Sequence, residues 1–158
     1  MDKKYLDLFN VQEGQLREVL GIALQRGGDY ADLYFEYTVS NELSLRDGEV
    51  NAVSSNIDYG VGIRVVSGDK TGFAFTEQTT LAEMKNAARI AAQIATLPDS
   101  VTNIPAAFTP VKGTNYSPIL SPWEDHTVTE KMGWLTSLNE KVFAKDSRIT
   151  KVLERLTD

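Results

Sequence analysis

The stretch Asn56–Thr80, NIDYGVGIRVVSGDKTGFAFTEQTT, decides how the rest of the chain folds. Two runs of alternating apolar residues, Val61/Ile63/Val65 and Phe73/Phe75, flank the segment Ser67-Gly68-Asp69-Lys70. Period-two alternation on both sides of a Gly-Asp pair predicts a β-hairpin, since two-residue loops draw on residues that accept positive φ. With Gly68 and Asp69 as the turn, Ser67 faces Lys70 and the remaining register follows. Val61, Ile63 and Val65 then share one face with Thr76, Ala74 and Gly72, while Gly60, Gly62 and Arg64 share the other with Glu77, Phe75 and Phe73. Gly62 falls opposite Phe75, so the Phe75 ring is expected to cover the bare backbone. Glycine inside a strand costs stability, and two at alternate positions imply that something comes close to the sheet there. A peptide substrate and an alanine-rich helix both satisfy that demand.

Working outward, the 158 residues suffice to bury a core without staples, and one domain over 1–158 is expected. The hydrophobic fraction of 42% and charged fraction of 24% place the chain among ordinary globular proteins. There is no cysteine, which excludes a disulfide framework and any thiolate nucleophile or ligand. The opening MDKKYLDLFN has no apolar run of secretory-signal type, and no segment has the apolar length to cross a bilayer. A cytoplasmic protein with no membrane contact is the expectation. Net charge is −6 and the basic residues are scattered, so the phosphate neutralisation that drives nucleic-acid affinity is missing. No direct nucleic-acid binding is expected.

Asn10-Val-Gln-Glu13 has the outline of a capping box, predicting a helix over about 10–26 with Leu16, Val19, Leu20, Ala23 and Leu24 buried and Gly27-Gly28 ending it. Strands follow over Ala31–Val39, with Leu33, Phe35 and Tyr37 on one face and Tyr34, Glu36 and Thr38 on the other, and over Asn41–Arg46, with Leu43 and Leu45 inward. Asp47-Gly48 is a second hairpin turn, leading into a weak strand from Glu49 to about Ser54. Together these make an α+β fold with an antiparallel meander of about five strands. A second helix over about 80–97 opens at Thr80-Leu-Ala-Glu83 and carries the stripe Met84, Ala87, Ala88, Ala91, Ile94 and Ala95. Its small residues suit close packing, with the Gly60/Gly62 face as the expected partner. All five prolines lie between Pro98 and Pro122, read as an extended crossover with a short strand near Ala107–Val111. A third helix over about 127–144 opens at Thr127-Val-Thr-Glu130, with Val128, Met132, Leu135, Leu138 and Val142 as its seam. The final segment, Arg148–Asp158, fits either a helix or a strand, and is expected to belong to a fold that continues past it.

Catalytic chemistry is poorly represented. His126 is the one histidine, beside Asp125 in a geometry that adjacent residues cannot turn into an oriented pair, and no serine at nucleophile-elbow spacing accompanies it. Asp29, Asp32 and Glu36 read as a solvated strand edge rather than a carboxylate dyad. Gly60-x-Gly62 lacks a third glycine and a following helix, and Ser67-Gly-Asp-Lys70 lacks the ending of a phosphate loop.

Asp29-Tyr-Ala-Asp-Leu-Tyr-Phe-Glu36, Ser55-Asn-Ile-Asp-Tyr-Gly-Val-Gly-Ile-Arg64 and Ser67-Gly-Asp-Lys-Thr-Gly-Phe-Ala-Phe75 together resemble the amino-terminal domain of TldD-type proteins of the TldD/PmbA family, historically labelled modulators of DNA gyrase. The similarity extends over most of the chain and makes the closing segment a strand. It implies a cytoplasmic zinc metallopeptidase that processes peptides or unfolded polypeptides, with roles in peptide-antibiotic maturation and antitoxin turnover. The resemblance further implies assembly with a non-catalytic PmbA-type partner or self-association. The family's metal site, a His-Glu-x-x-x-His helix in the carboxy-terminal domain, has no counterpart in this sequence. No catalytic or metal residue therefore carries over, and zinc is implied only for the missing carboxy-terminal domain. What carries over is a set of substrate-cleft or interface candidates: Asp58, Tyr59, Gly60, Gly62, Arg64, Phe73 and Phe75. An alternative of a different class is a free-standing peptide-binding or adaptor module without enzyme activity. The coding frame past codon 158 separates the two.

Overall fold

The computed structural model describes residues 3–96, 114 and 116–158. The elements are α1 (Lys3–Leu8), α2 (Glu13–Leu24), β1 (Tyr30–Arg46), β2 (Glu49–Ser67), β3 (Lys70–Thr76), α3 (Leu81–Ala95), a 3-10 turn (Trp123–Asp125), α4 (Val128–Phe143) and β4 (Leu153–Thr157). The sheet order is β3-β2-β1-β4. Two compact units divide the chain: Met1–Tyr37 with Asp58–Gly113, and Thr38–Ile57 with Thr114–Asp158. The fold is α+β and antiparallel as expected, and the described residues hold four strands where about five were expected. Residues 30–46 form one strand and 49–67 another, because ladder pairing carries the chain through Asn- and Ser-containing segments whose own β-propensity is weak. The strand expected near Ala107–Val111 lies outside the described residues.

In the first unit the hairpin has the register that its Gly68-Asp69 turn dictates: Ser67↔Lys70, Arg64↔Phe73, Gly62↔Phe75 and Val61↔Thr76. Val61, Ile63 and Val65 therefore point into a core shared with Leu16, Val19 and Ala23 of α2 and with Met84, Ala87, Ala88, Ala91 and Ala95 of α3. The start of α2 differs from the expected Asn10. Asn10 has φ 51°, a left-handed conformation that no helix start adopts. The Gln15 side chain instead reaches back to the Gln12 N–H at 2.9 Å, and Phe9 and Val11 are buried ahead of the helix. The short α1 was not foreseen.

The alanine-rich helix α3 covers the Val61/Ile63/Val65/Gly72 face, not the Gly60/Gly62 face. Its closest approach is at Gly72, where an added Cβ would lie 1.9 Å from the Ala91 carbonyl oxygen. Thr80 caps α3, accepting from the Glu83 N–H at 3.4 Å. Ile94 is exposed and Ala92 takes its place in the buried stripe.

In the second unit Asp47 and Gly48 turn the β1–β2 connection with φ of 54° and 86°, as a two-residue hairpin loop requires. The closing segment is a strand, pairing Leu45↔Glu154 and Leu43↔Leu156. Its ends are fastened by Asp47, whose carboxylate accepts from the Val152 N–H at 2.7 Å, and by Asp158, which accepts from the Asn41 N–H at 2.9 Å. Leu43, Leu45 and Leu135 form a small core with Met132 and Leu156.

Helix α4 begins with the expected reciprocal box, Glu130 accepting from the Thr127 N–H at 2.7 Å and Thr127 accepting from the Glu130 N–H at 3.2 Å. Its seam is centred on Leu135 as expected, but two of its members differ. Val128 and Leu138 are exposed, and the buried positions are Lys131, Leu135 and Asn139. Partners outside the helix explain the polar pair. Lys131 donates to the Trp123 carbonyl at 2.5 Å and lies 3.9 Å above the Trp123 ring. Asn139 donates to Glu154 Oε1 at 2.6 Å.

Candidate functional site

The strand alternation that buries one face of the first unit's sheet sets out an open surface on the other. Ala31, Leu33 and Phe35 of β1 pack against the core, which leaves Asp32, Tyr34 and Glu36 on the outer side. On β2 the outer positions are Gly62 and Arg64, and on β3 they are Phe73 and Phe75. Tyr34, Phe73 and Phe75 are all exposed, Phe75 at 71%. Tyr34, Phe73 and Phe75 thus stand on one face of a sheet with no helix over them among the described residues.

The backbone at the centre of this surface is protected by Phe73 rather than Phe75. A Cβ on Gly62 would lie 2.9 Å from Phe73 Cε2, so the Phe73 ring leans diagonally over the glycine and leaves its register partner Phe75 free. Such diagonal neighbours are within aromatic reach.

One charged pair borders the aromatic cluster. Arg64 Nε donates to Asp32 Oδ1 at 3.3 Å, and a second guanidinium nitrogen meets Oδ2. The Tyr30 hydroxyl also donates to Asp32 Oδ2, at 3.2 Å. Hydrogen bonding to Asp32 and its negative charge push the Arg64 pKa up. Exposed pairs of this type add little stability. Their effect here is positional, fixing the guanidinium plane on the sheet surface. Asp29 serves elsewhere, accepting from the Gly68 N–H at 2.7 Å and bracing the hairpin turn.

Of the sequence candidates, Gly62, Arg64, Phe73 and Phe75 are brought together. Tyr59 is not among them. Its ring is half-buried, stacked on Phe9 at 5.3 Å and edge-on to Tyr37 at 6.2 Å, with its hydroxyl 2.9 Å from Thr79 Oγ1. Gly60 is there for closeness: a Cβ would lie 2.5 Å from the Thr76 carbonyl oxygen. Asp58 is exposed on the strand just before Tyr59. Asp32, Tyr30 and Tyr34 join the surface without having been singled out. The alternation of β1 was their signal.

Catalytic groups do not converge on this face. In the second unit Ser121 Oγ lies 2.9 Å from His126 Nε2, and the His126 ring sits edge-on to Trp134 at 5.0 Å. No carboxylate hydrogen-bonds His126 among the described residues, so the pair lacks the orienting acid of a nucleophilic triad. Among the described residues no three His, Cys, Asp or Glu side chains group as a metal site. The donor set does not fit zinc, and no residue is assigned to one.

Residues 31–95 match the family described as PmbA/TldA metallopeptidase domain 1. Over these residues the chain is similar to a PmbA/TldD-type first domain. Over 148 residues it is 34% identical to the metalloprotease TldD homolog of Haemophilus influenzae, covering 94% of this chain and 31% of that protein. A second TldD homolog, from Buchnera aphidicola subsp. Schizaphis graminum, is 29% identical over 129 residues, covering 82% of this chain and 26% of its own length. Among solved structures, a candidate modulator of DNA gyrase from Bacteroides thetaiotaomicron superposes with TM-score 0.63 at 15% identity, covering 92% of this chain and 34% of the other. TldE from Thermococcus kodakarensis superposes with TM-score 0.60 at 15% identity, over 90% and 33%. At that identity the superpositions establish the fold. The chain spans about a third or less of the length of these curated relatives, 31% and 26%. No described helix is long and apolar enough to cross a membrane.

Proposed function

We propose that this domain is the non-catalytic first domain of a TldD-like zinc metallopeptidase acting in the cytoplasm on peptides or unfolded polypeptides. In that role it walls the substrate cleft and takes part in subunit assembly, with a PmbA-type partner or a second copy. Metal and bond cleavage belong to residues outside this sequence. One observation carries the reading: the outer sheet face of Tyr34, Phe73 and Phe75 around Gly62 stands open beside β3, an edge strand of the sheet among the described residues. An edge strand presents a row of N–H and C=O groups to which an extended backbone can add, whatever its sequence. That tolerance suits an enzyme fed with unfolded chains, and the neighbouring aromatic rings supply apolar contact area.

The test is a titration of the purified chain with an unfolded, soluble polypeptide, followed by tyrosine and backbone amide resonances. Saturable shifts at Tyr34, Phe73 and Phe75 are expected, and a folded protein whose resonances stay unmoved would contradict the proposal.

A further inference from the structure

Helices α2 and α3 lie side by side on the buried face of the first unit's sheet, opposite the side that carries Tyr34, Phe73 and Phe75. Lys85 of α3 is ion-paired with Glu18 of α2 at 2.5 Å. Further along, a cavity of about 160 Å³ is lined by Ile22, Gln25 and Arg26 from the end of α2 and by Arg89, Ala92 and Gln93 of α3. The two contacts advance together along both helices. The helices therefore run in the same direction, and both carboxy-terminal ends approach the cavity.

A floor of Ile22 and Ala92 is thus ringed by two guanidiniums and two carboxamides, with no carboxylate among the lining residues. Arg26 is half-buried, and Arg89, Gln25 and Gln93 are exposed. The Arg89 and Gln93 side chains make no hydrogen bond or ion pair among the described residues.

Arginines near helix ends have a structural use, since the carbonyls there carry about half a negative charge per helix. That use does not exhaust this pair. The Ile22 carbonyl already accepts from the Gln25 N–H at 3.2 Å, and the Ala92 carbonyl accepts from the Thr96 N–H at 3.1 Å and the Thr96 hydroxyl at 2.6 Å. Two helix ends of about −0.5 each offset about one of the two positive charges in the lining. What remains is a concave, positive surface on a protein whose net charge is −6.

We propose that this cavity binds a phosphoryl oxyanion, either free inorganic phosphate or the phosphate group of a small molecule. The guanidiniums of Arg26 and Arg89 enter from two helices, and each presents a fork of N–H donors that matches adjacent phosphate oxygens. Gln25 and Gln93 add N–H donors, and their carbonyls can accept from a protonated phosphate oxygen. Donors on two separate walls surround a tetrahedral group better than a planar carboxylate, and a phosphate dianion matches two guanidiniums in charge. The volume corresponds to about five water molecules, room for the phosphate itself with any attached group outside. Bound there, it ties the end of α2 to α3.

Titration of the purified chain at constant ionic strength tests this, with inorganic phosphate, phenyl phosphate and acetate as probes and the arginine Nε–Hε resonances as the readout. Signals of Arg26 and Arg89 should shift saturably with phosphate, and acetate should bind about tenfold more weakly or worse. Arg89→Gln, at an exposed position and checked for folding by circular dichroism, should weaken phosphate on the order of tenfold. Arg89→Lys keeps the charge without the fork and should recover only part of that loss. Phenyl phosphate bound at least as tightly as inorganic phosphate places the group on a larger molecule, and phenyl phosphate bound more weakly identifies the free anion. Arg26 and Arg89 signals that stay unmoved, equal affinity for acetate, or undiminished affinity in Arg89→Gln would each overturn the proposal.

Discussion

Gly72 of β3 and Ala91 of α3 approach so closely that a Cβ on the glycine would stand 1.9 Å from the Ala91 carbonyl oxygen and 2.8 Å from the Ala95 nitrogen. Both obstacles are helix backbone, which cannot rotate away as a side chain can. Gly72→Ala must lift α3 from the sheet, and a loss of about 3 kcal/mol or more is expected in chemical denaturation. An unchanged midpoint would mean that α3 does not sit on β3 as described.

Gly62→Ala offers the contrast within the same hairpin. The obstacle there is the outer end of the exposed Phe73 ring, 2.9 Å from the added Cβ. The ring can swing outward, and alanine removes the entropic penalty of a strand glycine. Stability should change by less than about 1 kcal/mol, while the intrinsic tyrosine and phenylalanine resonances of the open face shift. A loss as large as that of Gly72→Ala would place a rigid neighbour over Gly62.

The buried pair under α4 gives a third prediction. Glu154 is 5% exposed, and its Oε1 accepts from Asn139 at 2.6 Å while its buried Oε2 has no hydrogen-bond partner. A buried pair of this sort is weak support, and removing one member alone is worse than removing both. Asn139→Leu should cost about 3 kcal/mol, and Asn139→Leu/Glu154→Leu should recover most of it or exceed wild type. A double-mutant cycle by thermal denaturation checks this, with simple additivity as the contrary result.

Acid should loosen the start of α4. Hydrogen bonds from the Thr127 N–H and hydroxyl hold the Glu130 carboxyl below its ordinary pKa of 4.5. Because the folded-state value is the lower one, the stabilisation is complete above the ordinary glutamate range and is lost as pH falls through the depressed value. Asp146, lowered by its hydrogen bonds with Arg148, acts in the same direction, so global acid unfolding does not isolate the box. Amide exchange in the first turn of α4 does. Protection there should fall with acid in wild type and stay flat in Glu130→Gln, whose amide oxygen still accepts from Thr127 but does not titrate, and matching profiles would refute the assignment.

Much of this fold was legible because the chain states it locally. A two-residue Gly-Asp turn fixes every pair of the β2–β3 hairpin, and Thr127 and Glu130 three residues apart mark a helix start without reference to anything distant. What stayed hidden depends on partners outside the element itself. Lys131 and Asn139 look like solvent-facing residues until Trp123 and Glu154 arrive to receive them. The helical period of α4 and its centre at Leu135 were right, but Lys131 and Asn139 are buried beside it where Val128 and Leu138 were expected. The Gly60/Gly62 pair was read as the approach of a helix or a peptide, yet the groups beside it are the Thr76 carbonyl and the Phe73 ring of the same hairpin. The helix meets the sheet at Gly72, a glycine whose isolated place in a strand pattern drew no special notice. On the outer sheet face, the common side of Gly62, Arg64, Phe73 and Phe75 follows from the hairpin register alone. Asp32 and Tyr34 were seen as outward-facing but not as members, because their relation to Arg64 and Gly62 depends on how β1 aligns beside β2.

Hydrogen exchange of the β3 amides, with and without a saturating unfolded polypeptide, tests the central claim most directly. Capture of an extended chain on the open edge should slow exchange across Lys70–Thr76 and leave the first turn of α4 unchanged. Exchange in β3 that stays the same while the bound polypeptide protects some other surface would contradict it.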